Sequence, residues 1–537
     1  MIKADVIYVN GMIRTMDPEH PEAESLAIAD GRILHVGTQM ECEDLAGDHT
    51  ERVDLKGQTM LPGFTDNHLH LLGYGIFLIE VNLMGLTSIE QVVEKIRERA
   101  QQAKPGEWIL GRGWDQNEYV EDRFFTRYDL DRASEDHPIF VRRVCGHAAV
   151  ANSKALEMVG IDKDTPNPGT GVIEKDSDSG EPNGILHEDA INLVSDRIPP
   201  YSFSELKTAL SKATEKAIQA GITSITTDDV GNAGGLEECI RLYQSLWEDG
   251  LPAVRAYLLV AVKALDEALD KDYITGWGDE KVKIGPLKLF QDGSLGARTA
   301  ALVEPYTDQP DTRGILVFPQ EELDAVVNKA HRAGMQIGVH AIGDAAILST
   351  LESLELAQKE APRADSRHRI IHFEVVSPEI LEKSKELEII ADIQPKFLTT
   401  DGAWLENRLG PERSPYACAW KTILDTGIPA VGGSDCPVEP LDPMLGIHAA
   451  VTRTVYSKPN ESWHPHEKLT LEESVALFTR DAAFGSFEED CKGIIREGYL
   501  ADFVVLESDP WDTAPERLNE IKVAMTIIDG KVCFTKE

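Results

Sequence analysis

Two histidines separated by one residue are the first candidates for chemistry in this sequence. They are His68 and His70, which end the segment Leu61–His70 and follow the predicted strand Met60–Phe64. Side chains two residues apart on an extended chain point to the same side. Neutral imidazole is a common zinc ligand, so the pair would form half of a metal site. Such pairs also arise by chance, and alone this one does not establish a site.

Four further candidates lie in or just after apolar, β-rich segments, and their spacing matches a barrel. They are Lys288, His340, His372 and Asp435. His372 follows His340 by 32 residues and precedes Asp435 by 63, whereas one strand and helix of a barrel take roughly 31 residues. These intervals place the four residues on predicted strands four, five, six and eight. His70 and Lys288 are 218 residues apart, and three such units need about 93, which leaves room for an insertion of about 125.

Each of these residues also has an ordinary structural interpretation. His340 or His372 alone fits a hydrogen-bonded core histidine. Asp435 alone fits a helix cap, although its place at a strand end argues against that. Lys288 is harder to explain, because an unpaired ammonium in an apolar strand costs roughly several kcal/mol. Its ordinary alternative is a salt bridge to Asp292 or to another carboxylate.

The segments that must position these residues alternate between strand and helix patterns. Buried strands alternating with helices predict a parallel sheet, and eight strand candidates predict a closed (β/α)₈ TIM-like barrel over residues 61–485. The strand candidates are Met60–Phe64, Ile222–Thr226, Val254–Val260, Pro286–Phe290, Gln336–His340, Arg369–Val375, Ile389–Ile393 and Pro429–Val431. The helix candidates are Glu321–Ala333, Ile347–Lys359 and Pro378–Leu387. The alternative is an open doubly wound sheet, but no glycine-rich or phosphate-loop motif supports nucleotide binding.

The residue patterns at both ends of the chain predict short strands, and no helix is predicted before Met60. We therefore predict one small β-sandwich built from residues 1–60 and 486–537. Its strand candidates are Asp5–Val9, Ser25–Ala29, Arg32–Val36, Ala501–Leu506, Val523–Ile528 and Lys531–Phe534. Residues 75–201 fit neither pattern and contain loop-like clusters such as Gly111–Asp115. We predict that they form an insertion after the first strand, over the face where barrels place active sites.

The composition of the chain limits the kinds of molecule that the protein is expected to bind. Lysine and arginine total 53 against 92 acidic residues, a formal charge of −39, and such a surface repels nucleic acids and anionic lipids. The seven cysteines form no CxxC pair, which favours reduced thiols. No signal peptide or apolar run of about 18 residues is present. We expect a cytoplasmic protein that acts on a small molecule, with a homodimer as one candidate assembly.

As an ordered set, the motifs resemble the amidohydrolase superfamily, and more closely its amidohydrolase-3 branch, which includes N-substituted formamide deformylases. The motifs are Leu61–His70, Lys288–Gly296, Val339–Asp344, His372–Glu374, Gly433–Val438 and Gly498–Leu506. The resemblance implies that His68, His70 and Asp435 hold one divalent ion, with zinc as the expected metal. It further implies that His340 and His372 hold a second ion and that an N6-carboxylated Lys288 bridges the two.

The implied reaction is hydrolysis of a C–N bond in an amide, formamide or cyclic amide by metal-activated water, with Asp435 as general base and then acid. Deamination or ester hydrolysis at the same site is an alternative, and a non-enzymatic barrel protein is a second. The resemblance also suggests substrate contacts, although Trp114 fits a core position equally well. The suggested contacts are Trp114, Asp115, His147 and Asp292.

Overall fold

A computed structural model describes residues 2–536. The chain forms two compact units: one contains the residues up to Gly73 and from Leu210 onward, and the other is Tyr74–Ala209. The helices Leu71–Ile79 and Phe203–Gln219 run across the two boundaries. Within residues 2–536, no helix is both long enough and apolar enough to cross a membrane.

An eight-stranded parallel sheet dominates the first unit. Its strands are β1 (Phe64–Leu69), β2 (Ile222–Thr227), β3 (Arg255–Ala261), β4 (Val282–Phe290), β5 (Ile337–Ala341), β6 (Arg369–His372), β7 (Ile390–Ile393) and β8 (Ala430–Gly432). Each strand pairs with the next in chain order. The two edge strands, β1 and β8, approach each other. Just after β8, the Asp435 N–H donates to the His68 carbonyl at 2.7 Å and the Ser434 N–H donates to Asp66 Oδ1 at 2.9 Å. The sheet is therefore a nearly closed barrel. This confirms the prediction of an α/β fold with an eight-stranded parallel barrel.

The first barrel strand is not the predicted Met60–Phe64. Thr59–Pro62 instead pairs antiparallel with Phe503–Leu506 in a separate sheet, and β1 begins at Phe64. Gly63 separates the two strands, and a Cβ at this position would lie 2.3 Å from Thr223 Oγ1. Glycine is therefore needed where the chain leaves one sheet and enters the other. The apolar run is continuous because both halves are buried.

The three predicted helices are present, with ends within three residues of the predicted ones. They are Gln320–Arg332, Asp344–Glu360 and Pro378–Glu386. Gln320–Arg332 buries Leu323, Val327 and Ala330, whose spacing gives the helix one apolar face. The remaining α-helices of this unit are Gln39–Glu43, Val230–Ala233, Leu236–Glu248, Leu265–Asp270, Phe397–Asp401, Leu405–Arg413, Trp420–Thr426, Pro443–Thr452, Leu471–Ala476 and Arg480–Gly485. Gln39–Glu43 lies where no helix was predicted, and its five residues are too few to show a helical period.

Strands from both ends of the chain share one six-stranded sheet. Its spatial order is Lys531–Thr535, Val523–Ile528, Phe503–Leu506, Thr59–Pro62, Met12–Arg14 and Glu22–Ala23. A four-stranded sheet has the order Arg32–Gly37, Ser25–Ala29, Val6–Val9 and Glu51–Asp54, and Thr454–Val455 pairs with Lys458–Ser462. One hydrophobic cluster contains Tyr8 and Leu26 from the smaller sheet and Phe503 and Ile527 from the larger.

The second unit has a six-stranded sheet of its own. The spatial order is Val172–Lys175, Pro182–His187, Ala148–Ala151, Ile139–Arg143, Ile109–Trp114 and Val81–Asn82. Its helices include Ile89–Ala100, Arg127–Asp131, Ser153–Val159 and Asn192–Ser195. The interpretation of Gly111–Asp115 as a loop is wrong, because most of it lies in Ile109–Trp114. A Cβ on Gly111 would lie 2.9 Å from the Val81 carbonyl oxygen, so this glycine permits close strand packing.

Candidate metal centre

The end of β1 and the loop after β8 bring three potential metal ligands together. One ligand atom from each of His68, His70 and Asp435 lies within 4.8 Å of the others. Asp435 Oδ1 is 3.2 Å from His70 Nε2 and 3.6 Å from His68 Nε2. The backbone places the carboxylate there, because the Asp435 N–H donates to the carbonyl of His68.

Lys288, His340 and His372 lie beside this trio, on β4, β5 and β6. Lys288 Nζ is 3.1 Å from His68 Nε2. The ring centroids of His68 and His372 are 5.7 Å apart, and those of His340 and His372 are 4.4 Å apart. The structure thus gathers all the residues that were predicted to bind metal.

Three of the four imidazoles are oriented by a carbonyl oxygen behind the ring. His70 Nδ1 donates to the Asp228 carbonyl at 3.0 Å, His340 Nε2 to the Gly293 carbonyl at 3.0 Å, and His372 Nδ1 to Gln394 Oε1 at 2.6 Å. Because these acceptors carry no proton, the opposite ring nitrogen keeps its lone pair, as a metal ligand requires. Burial lowers the pKa of His340 to about 4 and holds those of His68 and His372 well below 6.5.

The contact between His70 and Asp435 requires a cation. His70 Nε2 faces Asp435 Oδ1 at 3.2 Å, and both side chains are largely shielded from solvent. Two such atoms repel unless a proton or a metal ion lies between them. Burial opposes protonation, but the facing carboxylate still raises the pKa of His70 to about 8. This nitrogen and oxygen donor set fits a divalent metal such as zinc.

Lys288 has no acidic partner. It is 2% exposed, and across residues 2–536 no carboxylate lies within ion-pair distance of its ammonium. Burial lowers the pKa of this ammonium. The salt bridge to Asp292 that the sequence allowed is not formed, so the charge of Lys288 is not explained by pairing.

Asp292 connects backbone segments beside the proposed ligands. Its fully buried carboxylate accepts backbone N–H groups from Ala301 at 2.9 Å, Ile342 at 3.0 Å and Gly343 at 2.8 Å. Burial raises the pKa of Asp292 to about 7. The side chain therefore connects the loops after β4 and β5, beside His340, and a substrate contact of Asp292 stays a prediction.

The other predicted substrate contacts lie in the second unit. Trp114 is fully buried there, and its indole N–H donates to the Val141 carbonyl, so it occupies the core position that its sequence context also allowed. Asp115 pairs with Arg143 at 2.7 Å. His147 is exposed and lies 3.0 Å from Glu188. A role of Asp115 or His147 in substrate binding stays a prediction.

Sequence reasoning missed three buried polar residues behind the ligands: Arg369, Asp392 and Gln394. Gln394 accepts the His372 N–H, and Asp392 accepts hydrogen bonds from both other residues. The sequence pattern that could have indicated them is a charged or amide side chain at alternate positions in or beside an apolar strand. Neither an amide nor an arginine is an expected metal ligand, so Gln394 and Arg369 did not stand out in the sequence.

The family is established by comparison with known proteins. The model of the family described as "Amidohydrolase family" matches residues 51–534. The chain belongs to the amidohydrolase family. This confirms the family predicted from the ordered motifs, and the match covers the barrel together with the C-terminal strands.

Relatives of this amidohydrolase match it over nearly its full length. It is 36% identical to "Putative amidohydrolase YtcJ" of Bacillus subtilis, over 99% of each chain. It is 27% identical to "N-substituted formamide deformylase" of Arthrobacter pascens, over 99% of this chain and 98% of that one. Among solved structures, an "uncharacterized metal-dependent hydrolase" from Pyrococcus furiosus is 31% identical, with a TM-score of 0.79 over 94% of this chain and 99% of that one.

Proposed function

We propose that this amidohydrolase is a metal-dependent hydrolase that cleaves a C–N bond of a small amide, formamide or cyclic amide. The observation that carries the proposal is the cluster of His68, His70 and Asp435, in which one potential ligand atom of each residue lies within 4.8 Å of the others. The deformylase and metal-dependent hydrolase relatives support the same reaction class.

The proposed ligands are His68, His70 and Asp435, with His340, His372 and Lys288 as further ligands. The proposal includes N6-carboxylation of Lys288, because its buried amine has no acidic partner and lies beside His68. A divalent metal, with zinc as the best match to these donors, would supply Lewis acidity toward water and a substrate carbonyl.

Asp435 is the proposed proton carrier. Its Oδ1 accepts no hydrogen bond within residues 2–536, and it lies beside the proposed ligands. It would accept a proton from the attacking water and deliver it to the leaving amine. Glu374 is the nearby alternative, and burial raises the pKa of its carboxyl group to about 8.

Two other reactions suit the same donor set: deamination and ester hydrolysis. A panel of amides, formamides, cyclic amides, aminated heterocycles and esters separates them from amide hydrolysis. We also propose that Asp115 and His147 contribute to substrate choice, which the same panel tests with Asp115→Asn and His147→Gln.

The metal requirement is tested first. We expect the purified protein to carry about one to two equivalents of divalent metal, measured by inductively coupled plasma mass spectrometry. His68→Ala and His70→Ala should lose metal and activity but keep the circular dichroism of the fold, because a large barrel does not depend on metal for folding as a zinc finger does. His35→Ala, at a partly exposed histidine of the separate four-stranded sheet, is the matched control. Full hydrolytic activity in metal-free protein would overturn the proposal.

A further inference from the structure

Strand β7 contributes none of the proposed metal ligands, yet the strand and the residue that follows it provide two buried polar side chains. Asp392 is 0% exposed and Gln394 is 5% exposed. Residues two apart on a strand face the same side, so both side chains belong to one face of β7. A buried carboxylate and a buried amide are costly unless their hydrogen bonds are satisfied. Their partners therefore indicate their role.

Hydrogen bonds connect these residues to His372. Gln394 Oε1 accepts from His372 Nδ1 at 2.6 Å, and Gln394 Nε2 donates to Asp392 Oδ1 at 3.1 Å. An ionised carboxylate only accepts, so the amide nitrogen must face Asp392 and the amide oxygen must face His372. The orientation of Gln394 thus fixes the proton of His372 on Nδ1 and leaves Nε2 free to bind metal.

The same group of residues reaches the strand that carries His68. Arg369 Nη2 donates to Asp392 Oδ2 at 2.6 Å and also to the carbonyl of Asn67 at 2.7 Å. Asn67 immediately precedes His68. His68 Nδ1 has no hydrogen-bond partner among the described residues, so on that side of the ring only the backbone of β1 and packing set its position.

The geometry of Arg369 differs from that of a purely structural ion pair. Arg255 and Asp502 form a buried pair of the usual kind, in which Arg255 Nε and Nη2 bind the two carboxylate oxygens at 2.6 Å and 3.0 Å. Arg369 instead uses one nitrogen for two acceptors on different strands, while its Nε and Nη1 have no partner within the described chain. It therefore connects β1 with β7 at the cost of the usual paired geometry.

We propose that Arg369, Asp392 and Gln394 are positioning residues that hold His68 and His372 in place for the metal. The inference rests on the proposed function, because it assumes that these histidines bind metal. His70 and His340 need no such residues, since backbone carbonyls orient their rings. The three residues act through hydrogen bonds to the ligands and their backbone and do not contact the reacting atoms.

Gln394→Met tests the proposal, with Gln336→Met as the matched control. Gln336 is also buried and hydrogen-bonded through its amide, but it precedes β5 at the end opposite His340. The measurements are the zinc dissociation constant by chelator competition, the visible spectrum of the cobalt-substituted protein, and the melting temperature without metal. Gln394→Met should weaken zinc binding roughly 10–100-fold and change the cobalt spectrum. Gln336→Met should match the wild type in both, even if it melts at a similarly lowered temperature.

Two more variants keep the test decisive if Gln394→Met does not fold. Gln394→Glu retains an acceptor for His372 and should bind zinc more tightly than Gln394→Met. Arg369→Lys should weaken zinc binding, whereas Arg255→Lys should lower only stability. Zinc affinity equal in each variant and its control would overturn the positioning role. A wild-type protein that binds no zinc would instead overturn the proposed function, and the positioning role with it.

Discussion

At the scale of single residues, His372 and Asp435 share an unusual backbone. Their φ angles are 76° and 56°, in the left-handed region that non-glycine residues rarely occupy. Each such residue costs about 1–3 kcal/mol, which persists only where the surroundings hold it. Hydrogen bonds to Gln394 and His68 supply that support. The strained backbone places both side chains at the mouth of the barrel instead of continuing the strand alternation.

Asp435→Asn separates proton transfer from metal binding. Asparagine keeps the shape and an oxygen ligand but cannot accept and return a proton. Turnover should fall at least about 10²-fold, while metal content falls far less and the Michaelis constant changes little. Steady-state kinetics and metal analysis on the same preparation measure these effects. Near-normal turnover in the variant would move the proton-carrier role to another group, with Glu374 or His147 as the next candidate.

The proposed ligand residues were predictable from the sequence, but the residues that hold those ligands in place were not. His68, His372 and Asp435 have side chains typical of metal ligands, and their intervals match the repeat of a barrel. Gln394 has no such signature, because its amide acts only through a neighbour that the fold brings to it. Trp114 shows the converse: an aromatic side chain among glycines fits a binding loop or a core equally well, and only packing distinguishes them.

At the scale of strands and helices, the junction between β8 and β1 sets the geometry of the centre. A Cβ on Gly433 would lie 2.7 Å from the His68 backbone nitrogen and 3.1 Å from Asp66 Oδ1. The sequence predicted β1 a few residues too early, because the apolar run on both sides of Gly63 does not reveal which half joins which sheet. The close approach of two backbones is likewise invisible in a pattern of residue types.

Gly433→Ala is expected to destabilise this junction. The added methyl group meets backbone atoms that cannot rotate away, and overpacking of this kind costs about 1–3 kcal/mol. We expect a lower melting temperature and weaker zinc binding, measured by calorimetry and chelator competition. Gly231→Ala is the control, because no atom lies within 4 Å of its added Cβ and the residue lies in the helix Val230–Ala233. Equal melting temperatures for the two variants would contradict the close contact.

At the scale of the whole molecule, Glu488 connects the barrel to the C-terminal segment. It lies 2.8 Å from Lys283 of β4 and 2.5 Å from Lys492. Burial alone would raise its pKa, but these two ammonium groups outweigh burial and lower it from 4.5 to about 2. Because the pKa is lower in the folded protein, the stabilisation is complete above about pH 4.5 and is lost as the pH falls through 2. The lowered pKa of Glu488 thus contributes about 3 kcal/mol to the free energy of unfolding above pH 4.5.

Glu488→Gln tests this acid dependence. Glutamine cannot ionise, so the variant should be less stable near neutral pH and should lose less stability on acidification between pH 4.5 and 2. Denaturant unfolding at a series of pH values measures the difference. Glu382→Gln, at an exposed acid of the same unit, should follow the wild-type curve. A Glu488→Gln curve parallel to the wild type would show that the two lysines do not hold this charge.

The pairing of Thr59–Pro62 with Phe503–Leu506 governs the order in which the protein is completed during translation. The two strands are separated by 440 residues, and ribosomes add roughly 5–20 residues per second, so the wait is between about 20 and 90 seconds. Throughout that time the earlier strand has an unpaired edge, which other nascent chains or a chaperone can bind. Tyr74–Ala209 is contiguous and needs no such delay to form its sheet. The middle of the polypeptide can therefore be native while the amino-terminal strands still await the last residues to leave the ribosome.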